Sequence, residues 1–156
     1  VAKAGYAIVT GGAVAVSAAT AKSILGVKSH ANFGADLKKF RVAFDGVDTT
    51  KVGVLVEIGY CTFGANSPGT NSTSVTPAQI YGRSITVGAT AAKTWTTEPT
   101  TITVIEEFLL TPAAGVVLYD WPLGDTPDSA VSEGFVIRCT APDAVNVRAS
   151  LVFERA

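Results

Sequence analysis

The sequence predicts an all-β domain: a two-sheet antiparallel sandwich, jelly-roll-like, with an extended N-terminal arm. Three observations carry this expectation. The 156-residue chain is 47% apolar, mostly Val, Ala, Ile, Leu and Phe, with Thr and Gly abundant among the rest, and β-branched enrichment of this kind suits pleated, half-buried surfaces. Apolar side chains recur with a period of two in several runs. Those runs are separated by Gly/Pro turns and long polar connections, and no helical period is sustained beyond two turns. A chain of this length fits one domain and buries roughly 70% of the surface its unfolded form exposes, so it can build a core without staples.

Val1 to Thr20 is rich in Ala and Gly, with Gly11-Gly12 in its middle and few large side chains. It is expected to be a flexible arm, residues 1–20, ahead of a single sandwich domain, residues 21–156. A frayed terminus, an arm ordered against a neighbouring molecule and an intramolecular edge strand all fit that composition. Tyr6, Ile8 and Val9 are interface candidates in the arm.

From Lys22 onward the pattern is strand, turn, strand. Phe40, Val42 and Phe44 share one face while Lys39 and Arg41 point the other way, and Asp45-Gly46 closes the run with a turn signal. Val52, Val54, Val56, Ile58 and Tyr60 continue the alternation. Mixed residues lie between them, which predicts a mid-sheet strand covered on both faces, its glycines marking a close approach or a bulge. The connection GANSPGTNSTSVT, residues 64–76, turns at Pro68-Gly69. A weak strand over 79–87 and a small-residue run over 88–93 follow.

In 101–110 the apolar Ile102, Val104 and Phe108 share a parity with Glu106. Either the pattern shifts at a bulge or the glutamates lie beyond the covered part of the sheet. Strands over 116–119 and 135–139 flank the rigid loop DWPLGDTPD. The closing strand points Val145, Val147, Ala149, Leu151 and Phe153 to one core and Asn146, Arg148 and Glu154 away from it. About eight strands result, with uneven spacing and long crossing loops, which is the jelly-roll signature.

Residues suited to catalysis are scarce. The chain has a single histidine, His30, beside Asn32 in a polar segment, and it reads as a solvated loop residue rather than a base. No GxSxG elbow is present. Glu106 and Glu107 are adjacent on a strand, so they face opposite ways and cannot address one bond together. Asp120, Asp125 and Asp128 lack the spacing of an EF-hand and read as turn-forming residues, with a calcium-like cation as the alternative. Asn71-Ser72-Thr73 matches a glycosylation triplet, a pattern too common to be informative. Cys61 and Cys139 lack zinc or redox spacing and are expected to be buried thiols, a disulfide between neighbouring strands being the other possibility. No catalytic residue, cofactor or metal site is predicted, and the chain is not expected to be an enzyme.

Charge adds little about partners: 12 Lys and Arg oppose 13 Asp and Glu, for a net charge of -1. No basic run has the density of a nucleic-acid footprint. No window is apolar for long enough to span a membrane, and Val1 to Val16 lacks the order of a signal peptide. The absence of Met fits removal of an initiator residue, so synthesis and folding in a cytoplasm are expected. Trp95 and Trp121 sit at strand–loop boundaries, where plugging the ends of the sandwich, an intersubunit contact and a sugar platform are the three options. Both join the interface candidates.

The stretches FGANSPGTNSTSVTPAQIYGR, AAKTWTTEPT, LTPAAGVVLYDWPLG, EGFVIRCTAP and VNVRASLVFER together resemble a family of small virion structural proteins of tailed bacteriophages, particularly those of actinobacteria. The resemblance covers most of 63–155, more loosely 24–44, and not the first twenty residues. It implies a head decoration, or cement, protein that binds the major capsid protein at the surface of the assembled shell as a homo-oligomer, a trimer first. A neck, tail or fibre-tip component and a glycan-binding sandwich are the alternatives. No functional residue is carried over, because the resemblance has no catalytic or ligand motif attached.

Overall fold

The computed structural model describes residues 4–45, 53–113 and 115–155, and these form a sandwich of two antiparallel sheets with no helix. Gly46, the second residue of the expected Asp45-Gly46 turn, lies outside the described residues. The strands in chain order are β1 (Gly5–Val9), β2 (Val14–Val16), β3 (Lys22–Lys28), β4 (Ala35–Asp45), β5 (Val54–Thr62), β6 (Thr73–Val75), β7 (Ala78–Tyr81), β8 (Thr90–Lys93), β9 (Thr101–Leu110), β10 (Val116–Asp120), β11 (Asp128–Ser129), β12 (Gly134–Thr140) and β13 (Val145–Arg155).

One sheet runs β10-β4-β13-β1-β7, with β11 also paired to β4 and β2 to β13; the other runs β6-β8-β3-β12-β5-β9. The pairing is nested. β1 pairs with β13, β3 with β12, β4 with β10 and β5 with β9, so the chain resembles a long ribbon doubled back on itself and wrapped around a core. The inserted β7 extends one sheet beyond β1, and β8 with β6 extends the other beyond β3.

Alternation fills the space between the sheets. Ile8, Leu37, Phe40, Val56, Ile58, Phe135, Ile137, Val147, Leu151 and Phe153 are all buried in one cluster. Each large aliphatic or aromatic side chain removed from water in this way contributes about 1.5–3 kcal/mol. The closing strand behaves as its pattern predicts on the core side, while Asn146 and Arg148 are exposed on the other. Glu154 departs from that expectation: it is buried, accepting a 2.6 Å hydrogen bond from the Tyr81 hydroxyl and lying 3.7 Å from Lys38 Nζ.

The expected arm is corrected by the structure. Gly5–Val9 is a strand inside the seven-stranded sheet, hydrogen-bonded to β13 on one side and β7 on the other, and Val14–Val16 pairs with the start of β13. Tyr6 and Ile8 fall on the inward positions of β1. Tyr6 stacks on Phe153 with ring centroids 5.7 Å apart and donates a hydrogen bond to the Ile85 carbonyl. The small neighbours are what allow this. Gly5 lies under the Tyr81 ring, where any Cβ would collide with the ring atoms, so a segment short of bulk fits between two strands as an interior element.

A second, smaller cluster forms outside the six-stranded sheet from Cys61, Phe63, Ala92, Trp95 and Val136, with Ile102 packed on it. The polar connection after β5 closes over it. The Trp95 indole donates to the Asn66 carbonyl at 2.9 Å, Asn66 Nδ2 donates to the Glu98 carbonyl, and the Thr96 amide donates to the Asn71 carbonyl. Cys61 and Cys139 are free, buried thiols. Cys61 pairs with Gly134 and Cys139 with Val56, which separates the two along neighbouring strands by far more than the roughly 7 Å between Cα atoms that a disulfide tolerates.

Candidate functional site: the β9–β10 flank

β9 and β10 end their respective sheets on the same flank of the sandwich. Between them lies an aromatic group. Phe40 stacks on Phe108 at 5.9 Å and on Tyr119 at 5.5 Å, and Trp121 tilts against Phe40 and meets Tyr119 edge-on at 4.8 Å. These rings fill the mouth between the edge strands and hold the flank rigid.

β9 carries a bulge. Ile58 pairs with Glu106 and Gly59 with Val104, which leaves Ile105 without an opposite residue. The extra residue switches the faces of the strand. Phe108 and Leu110 point between the sheets, while Ile102 points outward into the small cluster, where Gly59 leaves room for it: a Cβ there would lie 2.3 Å from the Ile102 methyl. Of the two explanations for Glu106, the bulge is the one observed. Glu106 stands at the switch, Glu107 is exposed on the outer side opposite Glu57, and the Glu107 amide donates to Glu106 Oε1.

Around this flank sits exposed apolar surface. Leu109 is 69% exposed and Ile105 41% on β9, Val116 is 61% and Leu118 56% on β10, and Leu123 follows in the next loop. Edge strands normally hide such residues or replace them with charge, because their free backbone groups template pairing with another chain. Here charge and apolar surface coexist on the same edge.

The outer face of the seven-stranded sheet continues from β10. Leu118 pairs with Arg41, Arg41 with Ser150 and Ser150 with Val9, while in the next row Val116 pairs with Ala43 and Ala43 with Arg148. The small residues between the larger ones leave a depression of about 330 Å³ lined by Val9, Arg41, Ala43, Arg148 and Ser150 among others. Its lining mixes small and aliphatic residues with two arginines that are exposed to solvent.

The interface candidates read from the sequence separate under this geometry. Tyr6 and Ile8 are core residues at 2% and 1% exposure, and Trp95 is buried at 1%, so as interface residues all three are corrected: their positions serve packing. Val9 is half exposed on the outer sheet face, and Trp121 is half-buried in the aromatic group. The residues that sequence reasoning passed over are Ile105, Leu109, Val116, Leu118, Arg41 and Arg148. A signal was available, since 116–119 is apolar at both parities in a short run, which a one-sided strand does not require.

The remaining polar candidates serve structure. His30 Nδ1 accepts from the Asn32 amide, its ring stacks on Phe33 at 5.4 Å, and its carbonyl accepts from the amides of Phe33 and Ser132. Asp125 closes a turn to the Pro122 carbonyl, and Asp120 and Asp128 lie on different strands, opposite Lys39 and Asp36. Among the described residues, no group of three or more His, Cys, Asp and Glu is placed to hold a metal ion. No helix of the described residues is long and apolar enough to cross a membrane. Comparison of the chain with protein families, curated proteins and solved structures gives no match.

Proposed function

We propose that this domain is a capsid decoration protein of a tailed phage, a non-enzymatic component that binds the major capsid protein on the assembled head and stabilises the shell. The observation that carries the proposal is the β9–β10 flank, where Ile105, Leu109, Val116 and Leu118 expose apolar surface on a framework made rigid by the aromatic group beneath it. Exposed apolar side chains beside charge on the two edge strands of one flank are what protein interfaces use. The nested strand order supports a jelly-roll assignment, and the family resemblance of 63–155 supports a virion role.

Binding would act by mass action. A copy that bridges neighbouring capsid subunits binds the assembled shell and not its separated parts, so it raises the free energy of disassembly, and several weak contacts on one shell combine through avidity. A glycan platform on Trp95 has no support, because that indole offers no open face.

The test is sedimentation of purified protein with empty phage heads, using native protein and a Leu109→Lys/Leu118→Lys variant. Saturable co-sedimentation of the native protein, weakened in the variant, supports the proposal. Absence of native binding, or label found at the neck or tail of particles in electron micrographs, overturns it.

A further inference from the structure

β9 ends the six-stranded sheet, so it is paired on its β5 side alone, and among the described residues no backbone group meets its other edge. Alternate amides and carbonyls along the ten residues of Thr101–Leu110 therefore face solvent. The other strands that end a sheet are shorter: β10 has five residues, β7 four and β6 three. Long edges are ordinarily closed to further pairing by a proline or a lysine. β9 has neither. It carries the bulge at Ile105 instead, and there lies a depression of about 320 Å³ lined by Val104, Ile105, Glu106 and Glu107.

Charge decides what fits this edge. Glu57, the neighbour of Glu107 across the ladder, is neutralised by its two-pronged pair with Arg138. Glu106 and Glu107 have no ion-pair partner among the described residues, and β9 itself holds no cation. A second β9 laid antiparallel on these residues would set glutamate opposite glutamate, which destabilises a strand pair. A lysine or arginine instead lays its aliphatic stem along apolar surface and brings its charge to the carboxylates.

We propose that the free edge of β9 accepts an extended segment of the shell subunit as an added antiparallel strand, with basic side chains opposite Glu106 and Glu107 and apolar ones opposite Phe108 and Leu109. Main-chain hydrogen bonds supply the affinity, and the side-chain pattern at the bulge supplies the register. The strand is in place before the partner arrives, because Phe108 is stacked on Phe40 beneath it, so little ordering opposes binding. This inference deepens the decoration reading and rests on it for the identity of the partner, whereas strand addition itself is testable without capsids.

The experiment follows amide hydrogen exchange of the full chain residue by residue, free, bound to empty phage heads, and with a synthetic peptide containing two valines followed by two lysines. A second peptide of the same sequence is methylated at the alternate amides that would face β9. The expected result is exchange slowed at least about tenfold at alternate β9 residues, on heads and with the first peptide. No slowing is expected with the methylated peptide, or in a Glu106→Lys/Glu107→Lys variant shown to be folded by circular dichroism. Protein that binds heads while β9 exchanges as in the free chain overturns the inference and leaves decoration standing. Slowing that survives methylation or charge reversal also overturns it. Protein that ignores heads sinks the decoration reading, and the peptide then decides the edge: slowing at alternate β9 amides upholds strand addition, and unchanged exchange ends it.

Discussion

Trp95 lies across Gly26 of β3, with its indole nitrogen held by the Asn66 carbonyl: a Cβ on Gly26 would lie 3.0 Å from the far edge of the ring and 3.1 Å from the Phe135 carbonyl oxygen. A glycine in mid-strand is thus the seat of the largest buried side chain. The long polar connection after β5 depends on it, because that connection is tied to the sheet through the same indole. Trp95→Ala is expected to cost about 3–5 kcal/mol, and Gly26→Val to destabilise by forcing the ring off its seat. Urea unfolding of both variants measures this, and midpoints equal to native would show that the small cluster contributes nothing.

Arg138 and Glu57 form a two-pronged ion pair on the outer side of the six-stranded sheet, Nε at 3.2 Å and the terminal nitrogen at 3.1 Å from the two carboxylate oxygens. Glu57 has Glu107 as its other cross-strand neighbour. Removing Arg138 leaves a nearly buried carboxylate facing a second one, so Arg138→Met is expected to cost about 1–3 kcal/mol, discounted from the fully buried case because the arginine is part solvated. A double-mutant cycle with Glu57→Gln should return a coupling of about 1 kcal/mol or more. A coupling of zero would place the pair among decorative surface contacts.

Burial, aided by the carboxylate of Glu98, pushes the Cys61 thiol from 9.0 up to about 12; burial, aided by Glu57, does the same for Cys139. The folded-state values are raised, so the stabilisation is complete below about pH 9 and is lost as pH climbs toward 12. In that window the unfolded chain releases thiol protons that the folded chain retains, and stability falls by up to about 1.4 kcal/mol per pH unit for each thiol. Denaturation midpoints between pH 8 and 10.5 should decline, and less steeply in a Cys61→Ala/Cys139→Ala variant. Identical slopes would remove the thiols from the account.

Ile8 is buried in the core opposite Leu151 of β13, so Ile8→Ala is expected to lose about 2–5 kcal/mol. By contrast, Leu109→Lys should change stability by less than about 0.5 kcal/mol, since its side chain is already in water. Thermal melts distinguish the two directly. A stable Ile8→Ala variant would return the first strand to the status of a detachable segment.

The alternation in 40–44, 52–60 and 145–153 was enough to read a sandwich, because a period of two leaves one face for the core whatever the strand order. What composition could not reveal was the place of 5–9. Small residues there looked like a lack of core-forming capacity, yet they are what lets a strand pass under the Tyr81 ring and between two neighbours. The face switch in β9 was legible only as an anomaly at Glu106, since a bulge depends on the partner strand and leaves no local mark. The basic sheet face was invisible for a related reason: Arg41 and Arg148 lie 107 positions apart in sequence and meet, across Ala43 and Ser150, only once β4 and β13 pair.

Gly5 lies opposite Glu154 in the register. The first strand can therefore pair with β7 once Tyr81 has been made, whereas its neighbour on the other side, β13, is complete only some 149 positions after Gly5. Such long-range closure makes for slow maturation. A permuted gene that joins the ends by a short linker and opens the chain at a surface turn would let those two strands meet early.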